Sequence, residues 1–282
     1  MNIYIVIPAH NEEDNIALML NALIQQTVLP KKVVIVNDDS TDATQDIIDS
    51  FTLKHDWITS LSITSSQEHI PGSKVINAFN KGLKTLDDNY DIICKFDADI
   101  VLPETYLENI VSLFNSDKTI GITGGLAYIK KGNTWVYETI SSKNHVRGPF
   151  KAYRKACFNA IGGLRESIGW DTVDVLLAQY HGWTIKTDKT LKVKHLKPTG
   201  NTYHKNSRYL QGEALYKMRF GFVLASLFSL RNTVSKRSPS YFLNAIRGYL
   251  KAKRNTTGFI VTEDEGIFIR KRLWKNLKQK FI

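Results

Sequence analysis

The sequence predicts an α/β fold with a predominantly parallel central sheet and a helical C-terminal extension. Short β-branched or apolar runs alternate with amphipathic helices through the first 125 residues, and this alternation is typical of βαβ units. The run 33–36 is entirely apolar, as expected of a strand that a parallel sheet buries on both faces. Beyond Pro198 the patterns are mainly helical.

The elements follow from periodicity and from turn residues. In the first half we predict strands at 2–8, 33–36, 61–64, 92–96, 120–125 and 126–129, with helices after the first, second, third and fourth of them. In the second half we predict strands at 146–154, 183–186 and 191–195, short helices after Lys155 and Ser167, and long helices at 203–230, 241–254 and 266–281.

Charge is distributed unevenly along the chain. Residues 201–282 carry 17 Lys and Arg against 4 Asp and Glu, a net charge of +13, whereas residues 1–200 have a net charge of −2. A basic region of this kind can meet anionic lipid, nucleic acid or an acidic polymer. Three interpretations stay open: a membrane-surface anchor that uses some of a set of apolar side chains, an acceptor platform, or a solvated helical face. The set is Phe220, Phe222, Leu224, Phe228 and Trp274.

Composition and the N-terminal residues bear on location. The chain is 43% hydrophobic and 11% aromatic, which excludes a disordered protein. It starts in a strand-like run without the pattern of a secretory signal. The longest apolar run, Phe220 to Leu230, is shorter than the roughly 20 residues that span a bilayer. Cys94 and Cys157 lack metal-site spacing and are expected to be reduced and buried. We predict a cytoplasmic protein, with peripheral attachment to the cytoplasmic face of the membrane as the variant that the basic region supports.

Two carboxylates follow the predicted strand at 92–96, at Asp97 and Asp99. The carboxyl end of a parallel strand faces the crevice in which α/β proteins bind ligands. Hard oxygen donors there suit Mg²⁺ or Mn²⁺, which complete their shells with substrate phosphates. The pair therefore favours a metal-dependent enzyme that acts on a diphosphate-containing substrate, and the alternative is a solvated turn.

Other polar loops follow the neighbouring strands and would meet at the same edge of a parallel sheet. They contain Glu12 after the first strand, Asp38 and Asp39 after the second, and Lys74 before a helix. Each has a purely structural alternative: a helix cap for the first, a turn for the aspartates, a solvated charge for the lysine. Their convergence is stronger support for a site than any one of them.

These segments, in this order, resemble the signatures of family 2 glycosyltransferases over about residues 1–200. They are Pro8-Ala9-His10-Asn11-Glu12, Asn37-Asp38-Asp39-Ser40-Thr41-Asp42-Ala43-Thr44, Gly72-Ser73-Lys74 with Ala78, Asn80 and Gly82, Asp97-Ala98-Asp99, and Gly162-Gly163-Leu164-Arg165-Glu166. The resemblance implies a GT-A fold: a Rossmann-like nucleotide-sugar half at 1–130 and an acceptor half at 131–200, here followed by the basic helical region at 201–282.

The resemblance also implies a reaction. A sugar, most simply from a UDP-sugar, would pass with inversion from a nucleoside diphosphate to a hydroxyl of a glycan or lipid-linked acceptor, in assembly of a surface polysaccharide or glycoconjugate. A divalent cation, Mn²⁺ or Mg²⁺, would neutralise the leaving diphosphate.

Residue roles follow from the same resemblance. Asp99 would bind the metal, and Asp97 would reach the ribose or the metal through water. Asp38 would read the base, with Glu12 and the backbone of Pro8 and Ala9 bordering the nucleoside. In addition, Lys74 would reach the base or a phosphate, and His195 would be a third metal or phosphate ligand, the alternative being an ordinary hydrogen-bonded histidine.

An inverting enzyme needs a general base for the acceptor hydroxyl. Where the family has a Glu-Asp pair before a helix, this sequence departs from it with Trp170-Asp171-Thr172-Val173-Asp174. Asp171, at the mouth of that helix, is the preferred base, and Asp174, one turn further in, is the alternative. Trp170 would stack on a sugar face or lie in the core.

Two other functions compete with sugar transfer. A sugar-nucleotide-forming nucleotidyltransferase shares the sheet, but the loop after the first strand is acidic and glycine-free, which suits a triphosphate poorly. A non-catalytic nucleic-acid-binding protein would use the basic region, and the near-neutral first 200 residues disfavour it.

Overall fold

The structure is a computed structural model that describes residues 1–65, 72–140, 142–197, 207–236 and 238–279. Contacts divide the chain into two compact units. The first unit comprises Met1–His69, Lys74–Leu164 and His181–Asn201, and the second comprises Ile70–Ser73, Arg165–Tyr180 and Thr202–Ile282. The loop expected before Gly72 and the two outer ends of the predicted C-terminal helices, at 203–206 and 280–281, lie outside the described residues.

The first unit contains strands and the helices that cover them. The strands are β1 (Ile3–Ala9), β2 (Lys32–Asp38), β3 (Ile58–Ile63), β4 (Ile92–Phe96), β5 (Ile100–Val101), β6 (Ile120–Lys131), β7 (Thr134–Tyr137), β8 (Phe150–Arg154) and β9 (Thr184–His195). The helices are α1 (Ile16–Ile24), α2 (Thr44–Thr52), α3 (Ser73–Leu83), α4 (Tyr106–Ser116) and α5 (Lys155–Ala160).

Within the described residues, these strands form one sheet in the order β3-β2-β1-β4-β8-β6-β9-β5, and β7 pairs with β6. The α/β class is confirmed. The strands β3, β2, β1 and β4 are parallel, as the apolar runs predicted. The other half is mixed, because β8 runs antiparallel to both β4 and β6, whereas β9 runs parallel to β6.

Two predicted pairs of strands are each a single long strand. The runs 120–125 and 126–129 form β6, and the runs 183–186 and 191–195 form β9. The two strands pair with register shifts between Ile120 and Ile122 and between Gly124 and Leu126. Such irregularities interrupt the alternation of side chains without ending the strand, which is why the sequence pattern suggested a break.

The core of the first unit lies between the sheet and the helices α1 and α4. The odd-numbered residues of β1, alternate residues of β4 and the buried face of α4 belong to one apolar cluster. Its members from these three elements are Ile3, Ile5, Ile7, Ala9, Ile92, Cys94, Phe96, Tyr106, Leu107, Ile110 and Phe114. Tyr106 satisfies its buried hydroxyl by donating to the carbonyl oxygen of Phe150 at 2.7 Å. The packed core fixes the strand ends that carry the polar loops.

The second unit is helical. Its helices are α6 (Trp170–Tyr180), α7 (Ser207–Lys217), α8 (Phe222–Lys236), α9 (Pro239–Arg254) and α10 (Glu263–Lys278). The single helix predicted at 203–230 is wrong, since α7 and α8 are separate. Arg219 (φ 54°) and Gly221 (φ 77°) both adopt left-handed backbone between them. Glycine takes up this conformation readily, and it ends the helix.

The helices α7 and α9 cross at two glycines. A Cβ atom on Gly212 would overlap the carbonyl oxygen of Ala245, and one on Gly248 would overlap that of Tyr209. Backbones can approach this closely only where no side chain intervenes.

The helix α10 begins at a capping box, in which Thr262 and Glu265 bond to each other's backbone N–H groups.

Not all of the apolar side chains predicted to contact a membrane surface are exposed. Phe220 and Leu224 are buried, and Phe220 packs edge-on against Phe228 with ring centroids 6.0 Å apart. Phe222 and Trp274 are exposed. In the part of the chain that the structure describes, none of the helices combines the length and the apolar character that crossing a bilayer requires.

Candidate active site

The loops after β1 and β2 are joined by hydrogen bonds. Ala9 pairs with Asn37 in the parallel register, so the two loops leave the sheet side by side. Asn11 accepts a hydrogen bond from the N–H of Thr41 at 2.8 Å, and the N–H of Glu12 donates to the hydroxyl of Thr44 at 2.8 Å. The two loops therefore form one structure, with Pro8 and Ala9 at its base.

Asp38 lies buried at the end of β2. Its two carboxylate oxygens accept hydrogen bonds from the N–H of Ser65 at 2.9 Å and from the Ser65 hydroxyl at 2.7 Å. These bonds fix the orientation of the carboxylate. Because each oxygen has two acceptor positions, Asp38 keeps the capacity to accept a further hydrogen bond from a ligand.

Asp97, directly after β4, is oriented from two sides. Its N–H donates to the carbonyl oxygen of Pro149 at 2.9 Å, and its carboxylate forms an ion pair with Lys95. The Lys95 side chain is buried, and it lies directly across the sheet from Lys151, which is also buried. Two buried ammonium groups repel each other unless anions lie nearby, so Asp97 offsets part of this charge.

Asp99 begins a chain of charged side chains. The Nε2 atom of His195 is 3.5 Å from an Asp99 carboxylate oxygen, and its Nδ1 atom is 3.3 Å from a carboxylate oxygen of Glu138. Glu138 in turn forms an ion pair with Arg147. His195, Glu138 and Arg147 are all buried. The sheet creates this arrangement, because Ile100 in β5 pairs with His195 at the end of β9.

The pKa of His195 reflects these neighbours. Burial acts to lower it, but the hydrogen bonds to Asp99 and Glu138 outweigh burial and raise the pKa to about 9. The imidazole therefore carries a proton at neutral pH, and it would have to release that proton to bind a cation.

These residues fit a divalent cation as a partial ligand set. A histidine whose second ring nitrogen is held by a carboxylate, as Glu138 holds His195 here, is the usual arrangement around metal-bound imidazole. Across the described ranges, no three His, Cys, Asp or Glu side chains are gathered closely enough to hold an ion by themselves. Asp99 and His195 would therefore supply part of the shell, which leaves positions for phosphate oxygens and water.

Glu12 connects the β1 loop to the end of β9. One carboxylate oxygen accepts from Asn15 at 2.8 Å and from Lys197 at 2.8 Å. Burial raises the pKa of Glu12, the negative charge of Asp99 adds to this, and the contacts with Lys197 and Asn15 oppose it. Glu12, Asp99 and His195 thus share one edge of the sheet.

Lys74 lies in the first turn of α3 and is half-buried. In the second unit, Trp170, Asp171 and Asp174 lie in the first two turns of α6. Trp170 and Asp174 are buried, whereas Asp171 is half-buried. A carboxylate in the first turn of a helix, such as Asp171, is stabilised by the helix dipole. The roles assigned to these four residues stay predictions.

Sequence reasoning missed Lys95, Lys151, Glu138 and Arg147. A signal for Lys95 was present, since it interrupts an apolar run that otherwise reads as a buried strand. Glu138 lies in a segment without a recognisable periodicity, and Arg147 lies near the start of the strand predicted at 146–154, where the pattern gives no sign of a buried ion pair. They come together because Glu138 follows β7, Arg147 precedes β8, and both strands pair with β6.

Comparison with known proteins places this geometry in a family. The model of the family described as glycosyl transferase family 2 matches residues 4–165. The chain is 34% identical over 137 residues to a probable glycosyltransferase, YdaM, of Bacillus subtilis (strain 168), which covers 46% of this chain and 30% of the relative. It is 23% identical over 186 residues to a poly-beta-1,6-N-acetyl-D-glucosamine synthase of Staphylococcus epidermidis, and the match covers 59% of this chain and 41% of the relative. The matched regions thus span less than half of either relative.

Solved structures support the fold. S. aureus TarS 1-349 in complex with UDP-GlcNAc aligns with a TM-score of 0.57 at 20% identity, covering 76% of this chain and 67% of that one. The mannosyltransferase PcManGT from Pyrobaculum calidifontis, in complex with GDP-Man and Mn²⁺, aligns with a TM-score of 0.59 at 15% identity, covering 98% of this chain and 80% of that one. These neighbours have the GT-A fold, which confirms the fold that the sequence implied. With the family match extending over more than half of its length, the chain belongs to glycosyltransferase family 2.

Proposed function

We propose that this protein is an inverting, metal-dependent glycosyltransferase that moves a sugar from a nucleoside diphosphate to a hydroxyl of a glycan or lipid-linked acceptor. The observation that carries the proposal is the shared edge at which Asp99 contacts His195, Glu12 lies in the loop after β1 and Asp38 ends the neighbouring strand β2. Family membership favours sugar transfer over the nucleotidyltransferase and nucleic-acid-binding alternatives.

Donor binding is assigned to the first unit. Asp38 would accept the N3–H of a uracil base, while Pro8, Ala9 and Glu12 border the nucleoside and Lys74 reaches the base or a phosphate. A UDP-sugar is favoured because the carboxylate of Asp38 is held in place by Ser65 with acceptor positions left over. TarS was solved with UDP-GlcNAc and PcManGT with GDP-Man, so both donor types occur on this fold.

Asp99 and His195 would hold a divalent cation, with Asp97 reaching it through water or bonding the ribose. Mn²⁺ or Mg²⁺ bound there would neutralise the charge that develops on the leaving diphosphate. The contribution of the chain is orientation: Glu138 fixes the imidazole of His195, and Lys95 fixes the carboxylate of Asp97.

Asp171 is the proposed general base. It would take the proton of the acceptor hydroxyl as that oxygen attacks the sugar on the face opposite the diphosphate, and the configuration at that carbon would invert. Asp174 is the alternative, although its burial makes direct contact with an acceptor harder. Trp170 would contribute an aromatic surface for the acceptor sugar.

Surface polysaccharide or glycoconjugate assembly is the proposed setting. Besides the poly-beta-1,6-N-acetyl-D-glucosamine synthase, the chain is 26% identical over 166 residues to the O-antigen chain rhamnosyltransferase WbaN of Salmonella anatum. Both names refer to polymers of sugars, and this agreement supports a polymeric or lipid-linked acceptor.

We further propose that the second unit contacts an anionic membrane surface. The exposed face of α8 carries an apolar stripe at helical spacing, formed by Val223, Leu227, Leu230 and Val234, which are 59%, 40%, 51% and 73% exposed. Because residues 201–282 have a net charge of +13, a second copy of this region would be repelled and an anionic lipid surface attracted.

Calorimetric titration of UDP, GDP, ADP and CDP, with and without Mn²⁺, tests the enzymatic proposal. We expect UDP to bind most tightly, binding to strengthen at least about tenfold with Mn²⁺, and Asp99→Asn to lose most of that gain. Absence of nucleoside diphosphate binding by the wild type would contradict the proposal. So would a UDP affinity that changes neither on addition of Mn²⁺ nor on the substitution Asp99→Asn.

A further inference from the structure

The outer side of β6, β7 and β9 carries alternating aromatic and basic side chains. We call it the aromatic–lysine face; it consists of Tyr128, Lys130, Trp135, Tyr137, Lys143, Lys192 and Lys194. Tyr128 pairs with Tyr137 across to β7 and with Lys194 across to β9, and Lys130 pairs with Trp135. Residues paired in this way project from the same side of a sheet.

Each ring of the aromatic–lysine face has an ammonium group over it. The Nζ atom of Lys143 is 5.2 Å from the ring centre of Tyr137, that of Lys192 is 5.6 Å from Tyr128, and that of Lys194 is 5.5 Å from Trp135. Tyr128 and Tyr137 also meet edge to face, with centroids 6.2 Å apart.

The charge of this face is unbalanced. Its three rings are half-buried, whereas all four lysines are exposed. Among the ranges that the structure covers, none of these four lysines pairs with a carboxylate. Cation–π contacts at exposed sites are weak, so the ammonium groups are available to an anionic partner.

Strand directions place this face beside the donor edge. Both β4 and β6 run antiparallel to β8, so they point the same way, and β9 is parallel to β6. The carboxyl ends of β6 and β9 therefore lie at the sheet edge where Asp97 and Asp99 follow β4. Lys194 directly precedes His195, which is buried on the opposite side of the same strand.

We propose that the aromatic–lysine face binds an anionic glycan, a chain of sugars bearing phosphate or carboxylate groups, as the acceptor or growing product of this enzyme. Sugar rings have apolar C–H faces that stack on Tyr and Trp, and the regularly spaced lysines would meet the acidic groups. This inference rests on the proposed sugar transfer and specifies its acceptor class. An anionic membrane fits less well, because this face has half-buried rings rather than a protruding aliphatic stripe.

Binding of soluble polymers to the full-length protein tests the inference. The probes are polygalacturonate and phosphorylated dextran as anionic glycans, unmodified dextran as the neutral glycan, poly(U), and vesicles of anionic phospholipid. We expect the anionic glycans to bind and dextran not to bind. We expect the double substitution Lys192→Gln with Lys194→Gln to weaken binding at least about tenfold, and Trp135→Ala to weaken it while Trp135→Phe retains it.

A matched control separates local from general electrostatics. Lys84→Gln with Lys118→Gln removes two exposed lysines outside this face and should leave glycan affinity unchanged. UDP affinity should be unchanged in every variant. A wild-type protein that binds no UDP would contradict the transferase proposal separately, whatever the glycan results. The present inference is overturned if the Lys192–Lys194 double variant binds anionic glycans as the wild type does, or if dextran binds equally well. It is also overturned if poly(U) or anionic vesicles bind more tightly than the glycans and lose that binding in the double variant.

Discussion

At the scale of the residue, the site depends on side chains that orient other side chains. Asp38 is held by Ser65, Asp97 by Lys95, and His195 by Glu138. Groups that are fixed before a ligand arrives need not be ordered on binding, and this lowers the entropic cost of association.

The two candidate bases can be separated by substitution. We expect Asp171→Asn to lower the transfer rate by about 10²–10⁴-fold, because a general base contributes on that order, while UDP affinity stays near that of the wild type. Asp174→Asn should act mainly on stability, since Asp174 is buried. Transfer rates together with UDP titrations of both variants check this. A fully active Asp171→Asn enzyme alongside a folded but inactive Asp174→Asn enzyme would assign the base to Asp174.

Motif residues could be predicted from sequence at this scale, whereas their partners could not. Asp97 and Asp99 follow a recognisable strand, but nothing near them in the chain points to Glu138 or to Arg147. These buried charges meet through the strand order β8-β6-β9-β5. A periodicity argument contains no information about such long-range neighbours.

At the scale of the element, close backbone approach opposes intrinsic helix propensity. Alanine favours a helix over glycine by roughly 1 kcal/mol, so propensity alone predicts that Gly248→Ala stabilises α9. The added Cβ would overlap the carbonyl of Tyr209 in α7. We therefore expect a net loss of about 1–3 kcal/mol in the free energy of unfolding, measured by urea denaturation.

A second alanine substitution serves as the reference for this prediction. A Cβ atom on Gly258 would have no heavy atom within 4 Å, so Gly258→Ala should change the free energy of unfolding by less than about 1 kcal/mol. Equal effects at the two positions would mean that the crossing of α7 and α9 does not constrain Gly248.

The helices show where sequence patterns were insufficient. The end of α7 was missed because Arg219, a residue that normally favours helix, takes left-handed backbone there. Its guanidinium lies 3.6 Å from the ring centre of Phe259 and its Nε donates to the carbonyl of Val261 at 3.2 Å. Contacts from distant residues thus override the local preference, whereas the strands β1, β2 and β4, buried on both sides, were predicted within about two residues, a typical uncertainty for element ends.

At the scale of the whole molecule, the candidate donor site and the net positive charge lie in different parts of the chain. The carboxylates of the proposed donor site belong to the near-neutral residues 1–200, and the net charge of +13 belongs to residues 201–282. We therefore expect that the proposed membrane contact and donor binding can be altered independently.

Flotation of the full-length protein with vesicles tests the proposed membrane contact. We expect co-flotation with anionic but not with neutral vesicles, and a loss of at least about tenfold for Leu227→Glu with Leu230→Glu, because the substitutions place charge on the apolar stripe of α8. Leu29→Glu with Leu53→Glu adds the same charge at exposed leucines of the first unit and should float normally. Undiminished flotation of the α8 variant would show that the stripe does not bind the membrane. A wild-type protein that is a dimer, together with an α8 variant that is a monomer, would show that the stripe is a dimer interface.

The bonds between the loops after β1 and β2 have a consequence for engineering the donor preference. Asn11, Glu12 and Glu13 exchange hydrogen bonds with Thr41, Asp42, Ala43 and Thr44, so each loop satisfies backbone N–H groups or side chains of the other. Replacing only one of them with the loop of a homologue that prefers a different nucleobase would leave backbone N–H groups of the other loop without their acceptors. Swapping nucleotide selectivity within this scaffold therefore calls for exchange of both segments as a single cassette.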